Sequence, residues 1–179
     1  YDTIMRRFPH AISVDQDSMT VAGRRVVMTA ERDPANIPWR DLGVEIVVEA
    51  SGVFTQRAKL EKHLAAGAER VLLTVPAKDE IDATIVVGVN HGSLKPSDRI
   101  VSNASCTTNC LAPIAKILDD HFGIEEGFVS TVHAYTNDQR LADVPHKDFR
   151  RSRAAATNII PTTTGAARAV GQVLPQLKG

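Results

Sequence analysis

Three compact apolar runs, the first two separated by a helical stretch, set the strongest limit on how this chain can fold. Val44-Glu45-Ile46-Val47-Val48-Glu49, Arg70-Val71-Leu72-Leu73-Thr74 and Ala83-Thr84-Ile85-Val86-Val87 have the length and β-branched content of strands. The second and third lack a polar face, as strands covered on both sides do. Thr55 to Ala66 has helical composition, and Gly67 stops it. Ala11 to Val14 and Arg25 to Thr29 are shorter strand candidates. The alternation predicts an α/β fold with a parallel sheet and crossover helices. Ligands of such sheets gather beyond the carboxyl ends of the strands, where Ser51-Gly52 and Thr74-Val75-Pro76 fall.

Composition narrows the function classes. The 179 residues carry 21 basic and 21 acidic side chains, a balance that speaks against a nucleic-acid or anionic-membrane partner. No apolar run approaches the ~18 residues of a membrane span, and no signal-peptide pattern opens the chain. A cytoplasmic enzyme of one domain or two small ones is the expectation.

Chemistry concentrates at Ser105-Cys106-Thr107-Thr108-Asn109-Cys110-Leu111, between the apolar-edged run Arg99 to Asn103 and a helical stretch from Leu111 to His121. A thiol at a strand-to-helix junction meets orphan N–H groups and the positive end of the helix dipole. Such a setting can lower a cysteine pKa from about 8.5 into the 3.5–7.5 range. Cys106 therefore reads as a nucleophile, and Cys110, one turn deeper, as a small buried hydrophobe. Two cysteines make no disulfide framework, and no second Cys/His cluster completes a metal site. Pro113 should bend the helix that follows.

Gly127 to Tyr135 alternates as a strand and ends in the turn residues Thr136-Asn137-Asp138, which places His133 where it can serve Cys106 as a base. His10, His63, His91, His121 and His146 have ordinary settings and read as solvated surface. The long segment from Asn137 to about Ser152 carries Arg140, His146, Lys147, Arg150 and Arg151, with Arg153 just beyond. Arg150 and Arg153 read as solvated or paired with acidic neighbours. The length of the loop itself suggests a function. Thr162-Thr163-Thr164-Gly165, ahead of the helical stretch Ala166 to Leu174, is either an anion nest or a hydroxyl-rich helix cap.

Ser102 to Pro113 resembles the active-site signature of the phosphorylating glyceraldehyde-3-phosphate dehydrogenase family. Thr131-Val132-His133-Ala134-Tyr135-Thr136-Asn137-Asp138-Gln139 resembles its catalytic-histidine segment, and Ile160 to Ala167 its phosphate-binding turn. Arg32-Asp33-Pro34, Ser51-Gly52-Val53-Phe54 and Gly88-Val89-Asn90-His91 also fit, in the family's order. The resemblance implies part of a dinucleotide-binding, Rossmann-like domain over residues 1–105 and part of an α+β catalytic domain over residues 106–179. It implies Cys106 and His133 as catalytic residues. Ser105, Thr107, Thr136, Arg151, Thr164 and Gly165 would bind the phosphates of the substrate and inorganic phosphate. Arg32, Ser51, Gly52, Thr74 and Asn137 would contact the cofactor, although Val75 is bulkier than the alanine more usual in the family.

The same resemblance implies a phosphorylated aldehyde as substrate, a homotetramer, and no metal. NAD is the expected cofactor rather than NADP, because Leu141 to His146 resembles the NAD-dependent version of the loop. No G-x-G-x-x-G occurs in the sequence, so the chain is expected to be a fragment that is inactive alone. The competing expectations are an erythrose-4-phosphate dehydrogenase of the same architecture, or a truncated product that only binds.

Overall fold

The computed structural model describes residues 2–178. It begins with a small antiparallel meander in the order β1 (Ile12–Val14), β2 (Ser18–Val21) and β3 (Arg24–Val27). The β2–β3 hairpin turns through Ala22 and Gly23, at φ of 50° and 79°. Two successive positive φ values give the primed turn whose twist matches the flanking strands. Strand β2 is an addition to the sequence reading, because Ser18-Met19-Thr20-Val21 is too short and too polar to stand out from its loops.

The second sheet is the one the apolar runs predict. Its strands β4 (Ile46–Glu49), β5 (Arg70–Leu73), β6 (Ala83–Thr84) and β7 (Ile100–Ser102) are all parallel, in the order β4-β5-β7-β6. Helix α1 (Arg57–Ala65) connects β4 to β5. Its Leu60 is fully buried among Val71, Leu73 and Ile100, with Phe54, Leu64 and Val75 around them. The helix ends at Ala65, and just past its cap Gly67 takes a φ of 115° that is open to glycine alone. A Cβ there would lie 2.5 Å from Arg40 Cβ, so the turn after α1 seats directly on the preceding loop.

Coverage of this sheet is one-sided among the described residues. Val47 and Glu49 point into the interior, whereas Ile46 and Val48 are more than half exposed. The run Ala83 to Val87 yields only a two-residue strand. Ile85 and Val86 leave the ladder and bury their side chains beyond it.

From Ser105 onward the chain is helical, then irregular. Helix α2 (Cys106–Phe122) runs unbroken past Pro113, and α3 (Ala166–Val173) packs against it through Ala112, Val170, Val173 and Leu174. The expected strand from Gly127 to Tyr135 is absent: this stretch is unpaired, with Phe128 96% and Val132 99% exposed. Alternation supplies the propensity for a strand, but the ladder needs a neighbour, and no described segment lies beside it. No helix among the described residues is long and apolar enough to cross a membrane.

Leu60 anchors the sheet-side core, so Leu60→Ala should cost about 2–5 kcal/mol. Urea titration of the natural gene product should show this as a lower midpoint at an unchanged slope.

Candidate active site

Register brings the candidate residues to one edge. Glu49 pairs with Leu73, and Leu73 with Ser102, so three parallel strands end level with one another. The residues just beyond them are Ser51-Gly52, Thr74 and Asn103, and Cys106 follows three residues after Asn103. With strands about 4.8 Å apart, the ends of β4 and β7 lie about 10 Å from each other.

The turn from β7 into α2 is tightly specified. Ala104 adopts a left-handed conformation, φ 62°, while 4% exposed. Its N–H donates to Ser102 Oγ (3.0 Å), and that hydroxyl donates to Val75 O (2.7 Å). Asn109 Nδ2 donates to the carbonyls of Asn103 and Ser105, bridging the turn from the far side. A non-glycine residue in this region costs on the order of 1–3 kcal/mol and persists only where its surroundings over-determine it. Ser105 is the N-cap of α2: its Oγ accepts the Thr108 N–H at 3.0 Å and shares a 2.7 Å hydrogen bond with Thr108 Oγ1. Cys106 is the first residue of the helix, and its side chain is exposed.

His133 reaches Cys106 from the unpaired segment. Its Nε2 lies 3.4 Å from Cys106 Sγ, and its Nδ1–H donates to Ala134 O at 2.6 Å. That carbonyl fixes the tautomer, leaving Nε2 to accept the thiol proton. His133 holds the thiol below its ordinary range, helped by the hydroxyl and N–H of Thr107 and opposed by partial burial. The Ala134 carbonyl and then the Cys106 sulfur raise the pKa of the imidazole. Both shifts run toward the same state, a thiolate facing an imidazolium.

The other candidates divide. Thr107 Oγ1 is 4.0 Å from Cys106 Sγ. Arg151 forms an ion pair with Asp138 and donates to Thr162 Oγ1 at 2.9 Å, so it ties the long loop to the threonine turn. In that turn Thr164 Oγ1 accepts the Ala166 N–H at 3.2 Å, and Gly165 is the N-cap of α3. Thr136 and Asn137 are exposed beyond His133, and the Thr136 N–H donates to Gln139 Oε1 at 3.2 Å. Arg32 is exposed, next to the Asp33 that caps the following turn. Arg150 and Arg153 pair with Asp148 and Asp143, as the acidic-partner reading of that loop expects.

Two readings need correction. Cys110 is exposed, because the face of α2 that carries it is not the one packed on α3. His63 is not surface: it is 3% exposed and bonded to Trp39 and Glu49. A signal for this cluster was present in the sequence. Period two puts Glu49 on the buried face with Val47, and a three-residue step puts His63 beside Leu60.

Residues 105–179 match the family model described as glyceraldehyde 3-phosphate dehydrogenase, C-terminal domain, and residues 1–57 match the NAD binding domain of the same family. Over its whole length the chain is 59% identical to a glyceraldehyde-3-phosphate dehydrogenase of Streptomyces coelicolor. The chain belongs to this family. It is also 55% identical, end to end, to the glyceraldehyde-3-phosphate dehydrogenase of Geobacillus stearothermophilus and to glyceraldehyde-3-phosphate dehydrogenase 1 of Bacillus subtilis. In each comparison it spans 53% of the relative's length.

The sheet edge fits the cofactor that the glyceraldehyde-3-phosphate dehydrogenase domain name implies. Gly52, at φ 71°, has open space where a Cβ would stand, so a planar ring can approach its backbone. Ser51 and Thr74 follow β4 and β5 at the same edge that leads to Cys106, and their hydroxyls both donate to Glu49.

Replacing His133 by Asn removes the imidazolium that stabilises the Cys106 thiolate. The pH midpoint for iodoacetamide alkylation of Cys106, measured by mass spectrometry in a Cys110→Ser background, should move to higher pH.

Proposed function

We propose that the protein carrying this chain is a phosphorylating, NAD-linked glyceraldehyde-3-phosphate dehydrogenase. Residues 1–105 contribute to its dinucleotide-binding domain and residues 106–179 to its catalytic domain. The observation that carries the reading is the 3.4 Å approach of His133 Nε2 to a thiol at the first residue of α2.

The chemistry follows from that pair. The Cys106 thiolate adds to the aldehyde carbon of a phosphorylated triose, forming a thiohemiacetal. Amides at the start of α2 face the developing oxyanion, where the helix dipole favours negative charge. The His133 imidazolium gives its proton to that oxyanion as the thiohemiacetal forms, and the neutral imidazole takes it back from the hydroxyl as the hydride leaves. Bound NAD supplies the acceptor for the hydride that converts the Cys106 adduct to a thioester. Inorganic phosphate then attacks the thioester carbonyl, releasing an acyl phosphate and regenerating the thiolate. A sulfur nucleophile suits this sequence because the thioester keeps the free energy of aldehyde oxidation available for the phosphate bond.

Ser105, Thr107, Thr136, Arg151, Thr164 and Gly165 hold the two phosphates in this reading. Arg151 already donates into the threonine turn, which supports its place there. Arg32, Ser51, Gly52, Thr74 and Asn137 contact NAD. The assembled enzyme is a cytoplasmic homotetramer, and the one-sided sheet of this chain is covered by the remainder of the longer polypeptide.

The test is NADH formation by the natural gene product from glyceraldehyde 3-phosphate, NAD and inorganic phosphate, with erythrose 4-phosphate as competitor. A larger kcat/KM for the tetrose, or no NADH from either aldehyde, would overturn the assignment. Cys106→Ser should lower kcat by about 10³-fold or more, since the hydroxyl is a far weaker nucleophile at neutral pH. His133→Asn should lower it by roughly 10²–10⁴-fold.

A further inference from the structure

A second polar cluster lies at the carboxyl end of β4, and the chemistry at Cys106 does not use it. Glu49 and His63 are 5% and 3% exposed. Trp39 Nε1–H donates to His63 Nδ1 at 3.1 Å. An indole N–H can only donate, so Nδ1 accepts and the ring proton sits on Nε2. That proton faces Glu49 Oε2 at 3.1 Å. The other carboxylate oxygen accepts the Ser51 N–H at 2.7 Å and the Ser51 hydroxyl. Ser51 Oγ in turn accepts the Val53 N–H at 3.1 Å, which closes the turn across Gly52. The main-chain carbonyl of Glu49 accepts both the N–H and the hydroxyl of Thr74, each at 3.1 Å.

Stability alone does not explain a carboxylate here. Burying one is costly, and an apolar residue continuing the Val47 pattern is commonly neutral or better for the fold. What an apolar residue cannot do is bond the amide and hydroxyl of Ser51. The carboxylate of Glu49 joins His63 to Ser51, one of the residues placed against the cofactor, whereas Thr74 is held by the main-chain carbonyl that any residue here would offer.

We propose that Glu49, oriented by the Trp39–His63 relay, is a positioning residue that pre-forms the Ser51-Gly52-Val53 turn for the nicotinamide dinucleotide. The proposal rests on the reading of the protein as an NAD-linked dehydrogenase. A site held ready for its ligand avoids the ordering cost that a loose one meets on binding. The contribution therefore appears in cofactor affinity, not in the reactivity of the thiol.

Glu49→Gln keeps the shape but turns an amide NH₂ toward either Ser51 N–H or His63 Nε2–H, a donor facing a donor. In the natural gene product it should raise the KM for NAD, and the Kd for NAD by calorimetry, roughly tenfold. kcat should stay within about threefold, and the pH profile of Cys106 alkylation should not move. Trp39→Phe, which removes the outer donor along with part of the ring, should give a smaller rise of about threefold and decides the matter if Glu49→Gln does not fold. A lower melting temperature with an unchanged KM for NAD in the folded variants would make the cluster a core brace and overturn the proposal alone. Absence of NAD binding by the unmodified protein would overturn both the proposal and the assigned function.

Discussion

The level ending of three parallel strands is the constraint from which the rest of the site follows. Parallel pairing fixes each strand's register against its neighbour, and here the pairs Glu49–Leu73 and Leu73–Ser102 leave no offset. The segments that leave the sheet therefore start from one line: a glycine turn after β4, a hydroxyl after β5 and the nucleophile's helix after β7. A slip of one residue in any strand would also exchange its buried and exposed faces, and Val71, Leu73 and Ile100 would lose their contact with Leu60. The packing of a leucine under the sheet and the alignment of chemistry at its edge are thus one property.

Around the thiol, charge is organised by helix amides, a hydroxyl and an imidazole. The N-terminus of α2 supplies partial positive charge, Ser105 satisfies one of its free amides, and an imidazole completes the environment of the sulfur. Each element is modest, and all of them favour the same ionised state. His133 comes from an exposed, unpaired segment, held by the Ala134 carbonyl and the sulfur itself. His133 is therefore less firmly mounted than Cys106.

How much of this was legible in the sequence depended on distance along the chain. The parallel strands, α1 with its Gly67 stop, and the helix after Cys106 followed from patterns contained within one segment. The meeting of Cys106 with His133 was legible because strand-to-helix and segment-to-turn junctions are local features with a direct electrostatic meaning. The strand expected over Gly127 to Tyr135 failed because pairing is a property of two segments, and one segment cannot display it. His63 was misplaced for a related reason: its partners Trp39 and Glu49 lie 24 and 14 residues away, so a helix composition that looked solvated concealed a buried bond. Polar residues on a period-two buried face, such as Glu49, are the sequence signal that such a partner exists.

The left-handed backbone at Ala104 limits what this site can become. A β-branched residue there meets a torsional penalty, and any larger side chain must also enter the cluster formed by Val86, Ala112 and Val170. Glycine relieves the torsion but leaves a gap where the methyl group packs. Variation at this position is therefore close to closed, although the residue takes no part in chemistry. The direction in which the sulfur points is inherited from an alanine two positions away, and a lineage could lose its aim there while keeping every reactive group intact.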